Sequence, residues 1–196
     1  MSARLASVVV VSLLACACSS PTTPTPLPVQ NPVPTPAPPP VVLPLLVFTP
    51  DTTTPIANSF TLFGDTSTAG EVMLTMNANA FQSLRHISSV RATLLYDPLV
   101  LVPDNSYEAG SWLTQGSLLT TFLFLTAPGE VIVRIDRPDS LAGVSGSGPV
   151  FAKRFRVVAG VRNRTTQVEW NDIHAYATTS LSDLLGRAYG GTIRIQ

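Results

Sequence analysis

The sequence runs to 196 residues, of which 45% are hydrophobic and only 12% charged, and its formal net charge is zero. That length allows one sizeable domain with appendages. The charge balance excludes a polybasic surface for nucleic acid and an acidic tail. Apart from Arg4, every charged residue falls after position 50, so an uncharged quarter precedes a normally charged remainder.

Residues 1–15 read as a signal peptide. Arg4 supplies the positive start, and Leu5 to Leu14 form an apolar core of about ten residues, too short to span a bilayer. The segment ends in Leu13-Leu14-Ala15-Cys16, which resembles the lipobox of bacterial lipoproteins. The resemblance implies acylation of Cys16, with Cys18 as the alternative acceptor, and so a lipid bilayer as a partner. Several acyl chains make a stable anchor where one is marginal. Ala17 rather than Asp follows Cys16, the pattern of the outer membrane in Gram-negative lipoproteins. An ordinary secretory signal with incidental cysteines is the other reading. Both cysteines fall here, so the later chain holds no disulfide, thiolate metal site or cysteine nucleophile.

Residues 16–44 read as a lipidated N-terminus and a disordered Pro/Thr-rich linker. Eleven prolines between Pro21 and Pro44 exclude helix and central strand. Such a stretch favours polyproline II, at about 3.1 Å per residue a semi-rigid spacer.

Residues 45–196 read as the folded domain, and the pattern is β throughout. Apolar or alternating runs occupy Leu45–Phe48, Ser59–Phe63, Glu71–Ala78, Val90–Tyr96 and Leu99–Val102. Thr120–Thr126 and Glu130–Asp136 flank Ala127-Pro128-Gly129, a hairpin signal. In Val150–Val158, residues Phe151, Lys153, Phe155 and Val157 share one face. Gln167–Trp170, Ile173–Ala177 and Thr192–Gln196 complete the set. Leu181–Leu185 has room for one helical turn, and no segment shows a long helical period. About nine short strands separated by turns predict an all-β fold, an antiparallel β-sandwich with jelly-roll topology. Within it, Tyr96-Asp97-Pro98 reads as a corner where the chain leaves one sheet for the other, because Pro98 donates no N–H and Asp97 bonds nearby backbone.

Three stretches in order resemble the cohesin family: "VRATLLYDPLVLVP"; "TTFLFLTAPGEVIVRI" with "AGVSGSG" and "PVFAKRFRVVAG"; and "TTQVEWNDIHAY" with "GGTIRIQ". Together they cover about residues 58–196. The resemblance implies a non-catalytic jelly-roll module, related to some carbohydrate-binding modules, that docks a calcium-loaded dockerin. It also implies a partner-binding face at Ser89 and Arg91, on the outward side of the strand leading into Tyr96, where the best-known cohesins carry Asn and Asp.

Other constellations are weaker. His86 and His174 stand in no hydrolase or metalloprotease motif. "GVSGSG" at 143–148 lacks the lysine and helix of a phosphate cradle and reads as a flexible turn. Asp136 with Asp139, and Asn171 with Asp172, lack the six or more oxygens of a calcium site and read as turn residues. Tyr107 and Trp112 flank a loop and are candidate exposed aromatics for a glycan, whereas Trp170, beside Val168 in an alternating strand, reads as core. The expectation is a lipid-anchored, non-enzymatic binding module without a cofactor, probing a dockerin-like protein module. A carbohydrate-binding module acting on polysaccharide, and a structural accessory of an envelope or secretion assembly, are the alternatives.

Overall fold

The computed structural model describes residues 42–82, 86–115, 120–138, 140–177, 180–183 and 187–196. The signal peptide, Cys16, Cys18 and the linker before Val42 lie outside them. One sheet holds, side by side, β1 (Leu46–Pro50), β12 (Gly191–Ile195), β9 (Arg164–Ala177), β4 (Ile87–Tyr96), β7 (Glu130–Asp136) and β6 (Thr121–Ala127). Short β10 (Ser180–Asp183) adds to β9. The other sheet is β11 (Arg187–Tyr189), β2 (Ser59–Asp65), β3 (Glu71–Phe81), β8 (Gly146–Val157) and β5 (Leu101–Ala109). All pairings are antiparallel except β11 with β2. The chain passes repeatedly from one sheet to the other, as the strand spacing predicts for a jelly-roll sandwich.

Period-two patterning builds the core. β3 turns Val72, Leu74, Met76 and Ala78 inward and leaves their neighbours half-buried. β4 does the same with Val90, Ala92, Leu94 and Tyr96, so Ser89, Arg91, Thr93 and Leu95 face out. Burial of each large apolar side chain is worth roughly 1.5–3 kcal/mol, and this core has no disulfide to assist it.

The corner at Tyr96 has the expected chemistry. Asp97 Oδ1 accepts from Leu99 N at 2.9 Å, and the Asp97 carbonyl accepts from Val100 and Leu101 N. β4 thus ends in one sheet and β5 starts in the other. The hairpin prediction also holds: Ala127 pairs with Glu130 across Pro128-Gly129, with Gly129 at φ 89°.

Several elements differ from expectation. Twelve strands are described rather than about nine. Gln167–Trp170 and Ile173–Ala177 are one strand, β9, carrying a bulge: Thr93 pairs with Asn171 but Arg91 pairs with His174, and Asp172 adopts φ 52°. The extra residue resets the alternation, so Val168 and Ala175 both face the core. Of the Leu181–Leu185 turn, residues 181–183 are strand instead, because β10 pairs with the end of β9, and residues 184–185 lie outside the described residues. The glycine/serine turn is partly strand, since Gly146 and Gly148 pair with β3 across a bulge. Leu99 and Val100 belong to the corner, and β5 instead runs on to Ala109. A single helical turn, α1 (Ser111–Thr114), follows it. Among the described residues no helix is long and apolar enough to cross a membrane.

Candidate functional site: the outer face of β9, β4, β7 and β6

Four neighbouring strands present a regular array of outward side chains. Cross-strand register aligns Glu169, Leu95 and Glu130; then Asn171, Thr93, Ile132 and Leu125; then His174, Arg91, Arg134 and Leu123; and then Tyr176, Ser89, Asp136 and Thr121. An apolar strip crosses the array diagonally from Leu95 on β4 through Ile132 on β7 to Leu125 and Leu123 on β6, with Glu169 and Glu130 beside Leu95. Leu95, Leu123 and Leu125 are 36%, 45% and 52% exposed, and half-buried Ile132 lies between them.

The end around Ser89 and Asp136 is polar and internally bonded. Ser89 donates its hydroxyl proton to Asp136 Oδ1 at 2.7 Å, and Arg134 Nε donates to Asp136 Oδ2 at 2.5 Å. The Arg91 guanidinium lies 5.6 Å from the centre of the Tyr176 ring, a cation–π distance. His174 Nε2 and Asp172 Oδ1 are 2.8 Å apart. A depression of about 170 Å³ joins the strip to this end, lined among others by Arg91, Thr93, Leu123, Ile132 and Arg134. The structure therefore brings Ser89 and Arg91 onto one exposed face, spaced two residues apart on its central strand.

It separates Tyr107 and Trp112. Tyr107 lies on β5, 45% exposed, and its ring stacks at 3.9 Å on Phe124 at the open edge between β5 and β6. Trp112 is fully buried, which removes it as an exposed aromatic. The turn of α1 rolls its ring inward against Phe60 and Phe81, and Nε1 donates to the Ser145 carbonyl at 3.1 Å. Trp170 packs against the core and donates Nε1 to the Tyr189 carbonyl at 3.0 Å. The carboxylates weighed for calcium are engaged otherwise: Asp136 with Ser89 and Arg134, Asp172 with His174. Asp139 lies outside the described residues. Among the described residues, no three His, Cys, Asp or Glu side chains converge as metal ligands would.

Sequence reasoning missed the apolar half of the face. Its signal lies in "TFLFLTA", apolar on both parities: Phe122 and Phe124 pack against the core while Leu123 and Leu125 point out. A strand at a sheet edge needs only one apolar face for folding.

No protein-family model matches the sequence, and no curated protein does. Solved structures do match. A non-cellulosomal cohesin from the hyperthermophilic archaeon Archaeoglobus fulgidus superposes with a TM-score of 0.51 at 20% identity, covering 68% of this chain and 88% of that one. A type II cohesin dyad from an adaptor scaffoldin of Acetivibrio cellulolyticus superposes with a TM-score of 0.55 at 14% identity, covering 70% of this chain and 48% of the dyad. A type I cohesin–dockerin complex from Clostridium thermocellum matches with a TM-score of 0.51 at 15% identity, covering 72% of this chain and 94% of that one. The chain therefore has the cohesin fold.

Proposed function

We propose that the chain is a non-catalytic docking module whose outer β9-β4-β7-β6 face binds another protein module of the dockerin kind. The observation that carries this reading is the pairing of an apolar strip, exposed Leu95, Leu123 and Leu125 with half-buried Ile132, with a charged half around Arg91 and Arg134 on one sheet face. Apolar side chains held together in water mark an interaction surface, and flanking charges set register and partner choice. The likeness in fold to a cohesin solved with a dockerin supports the same reading. Ser89 and Arg91 sit at the polar end of that surface and take part in partner choice. We also propose that the module is displayed on the cell envelope by lipid at Cys16, or at Cys18, and serves polysaccharide binding or breakdown through its partner.

The test uses the immobilised chain and the secreted fraction of its source organism. A protein with paired calcium-binding loops is expected to be retained in calcium and released by a chelator. The double variant Leu123→Asp, Leu125→Asp is expected to lose that protein while its unfolding free energy stays within about 0.5 kcal/mol of the parent, as usual for surface positions. Equal retention by the double variant would sink the assignment of this face.

A further inference from the structure

A second cleft, of about 430 Å³, opens on the opposite sheet between the loop after β1 and the outer face of β2 and β3. Its volume falls in the range of small-molecule sites, roughly 300–1,000 Å³. β2 supplies Thr61 and Phe63, and β3 supplies Asn77 and Asn79, with Thr61 directly opposite Asn77. Pro50 and Pro55 contribute apolar wall. None of the lining residues carries a charge.

Three observations distinguish this cleft from a packing defect. Phe63 is 61% exposed, an aromatic ring offered to solvent on the outer side of its strand. Thr61 is only 6% exposed; its hydroxyl accepts from Asn79 Nδ2 at 3.3 Å, and its own proton finds no acceptor among the described residues. Buried donors are normally satisfied, so one that lines an open cleft is available to a ligand. The Asn77 carboxamide makes no side-chain hydrogen bond among the described residues, whereas Asn79 is held in place by bonds to Ser59 and Thr61 at 3.2–3.3 Å.

A flat ring beside amides and a hydroxyl, with no charge, fits one ligand chemistry. A neutral sugar has an apolar C–H face that covers an aromatic ring and hydroxyls that both donate and accept, as a carboxamide does. An anionic ligand would enter without a cation to compensate its desolvation. We propose that the cleft over β2 and β3 binds a neutral saccharide, with Phe63 beneath the sugar ring and Thr61, Asn77 and Asn79 holding its hydroxyls. The site lies on the other sheet from the docking face and stands or falls independently of it.

Native gels containing hydroxyethylcellulose, xyloglucan, glucomannan or polygalacturonate test this with the full-length chain. At least one of the three neutral polymers is expected to retard migration, and polygalacturonate is not. Phe63→Ala and Asn77→Ala are each expected to weaken the effect about ten-fold or more, the loss of roughly one well-made contact. Arg91→Ala, on the other sheet, is expected to leave it unchanged. Asn77→Asp, of unchanged size, repeats the test should an alanine variant fail to fold. Migration unaffected by all three neutral polymers would overturn the proposal, as would retardation that survives the substitutions or equals that in polygalacturonate.

Discussion

Lys153 and Arg137 are the cations that the described part of the sandwich buries, and main-chain carbonyls hold both. Arg137 Nη1 donates to the Leu113 and Gln115 carbonyls and Nε to that of Ala142, so it ties the end of α1 to the loop before β8. Lys153 faces inward between Phe151 and Phe155, and its Nζ donates to the carbonyls of Asp104 and Ser106 at 2.6 and 3.0 Å. Those carbonyls belong to a bulge in β5, where Pro103 pairs with Phe155 but Tyr107 pairs with Lys153. The bulged residues have no strand partner, and the ammonium takes its place. Lys153→Ala is expected to lose at least about 2 kcal/mol in urea denaturation, because buried acceptors are left unmade and a space opens. Burial depresses the Lys153 pKa below its ordinary 10.5, against the opposing pull of the Asp104 carboxylate. A depressed folded-state pKa means that the unfolded chain binds more protons between the two values, so stability rises with pH in that alkaline window. Wild-type protein is therefore expected to gain stability relative to Lys153→Met as pH climbs toward 10.5. A gap that stays constant with pH would mean that the ammonium carries no desolvation penalty. Alternation alone places Lys153 on the inward face. Its partners belong to a bulge some 50 residues away in sequence, and no local pattern reveals them. Trp112 failed for a related reason: a four-residue helix has no periodicity to read.

At the scale of elements, the corner between β4 and β5 is stapled from outside its own segment. Tyr96 donates its hydroxyl to the Ala127 carbonyl at 2.9 Å, Tyr96 N donates to the Gly129 carbonyl, and its ring meets Phe155 edge-on at 5.2 Å. The residue that ends one strand thus fixes where the β6–β7 hairpin sits. Tyr96→Phe keeps the ring and removes one buried hydrogen bond. It is expected to lose about 1 kcal/mol, lowering Tm by roughly 2–4 °C for a domain of this size. An unchanged Tm would mean that packing alone sets the corner. The corner and the hairpin were legible because proline, aspartate and glycine act on their immediate neighbours. The β9 bulge was not, because Asn171-Asp172 resembles a turn until β4 supplies the pairing that keeps the strand intact. β11 was hidden likewise, its pairing being to β2 at the far end of the domain sequence, and β10 was hidden because its pairing to the end of β9 is short and broken by a register shift.

At the scale of the whole molecule, one core serves two outer faces with different chemistry. The β9-β4-β7-β6 face is apolar and charged; the β2-β3 face is uncharged around its cleft. The core was legible because inward residues, Lys153 apart, are nearly all apolar whatever the partner. The faces were only half legible, since an outward Leu123 or Phe63 is indistinguishable from a core residue until the parity of its strand is known. What the N-terminal quarter does is a separate question with a direct test. We propose that acylation of Cys16 tethers this two-faced domain to a membrane, because Leu13-Leu14-Ala15-Cys16 resembles a lipobox and follows an apolar core of about ten residues, too short to span a bilayer, and several acyl chains make a stable anchor. Cys16→Ala is then expected to shift the protein from the membrane pellet to the soluble fraction and to abolish labelling by a palmitate analogue. Cys18 follows two residues later and shares part of the same context. Retention in the single variant that is lost in Cys16→Ala, Cys18→Ala would assign the lipid to Cys18. Retention and labelling that persist in the double variant would overturn the anchor itself. The folded domain contains no cysteine, so neither substitution touches its core, and a change in Tm is not expected.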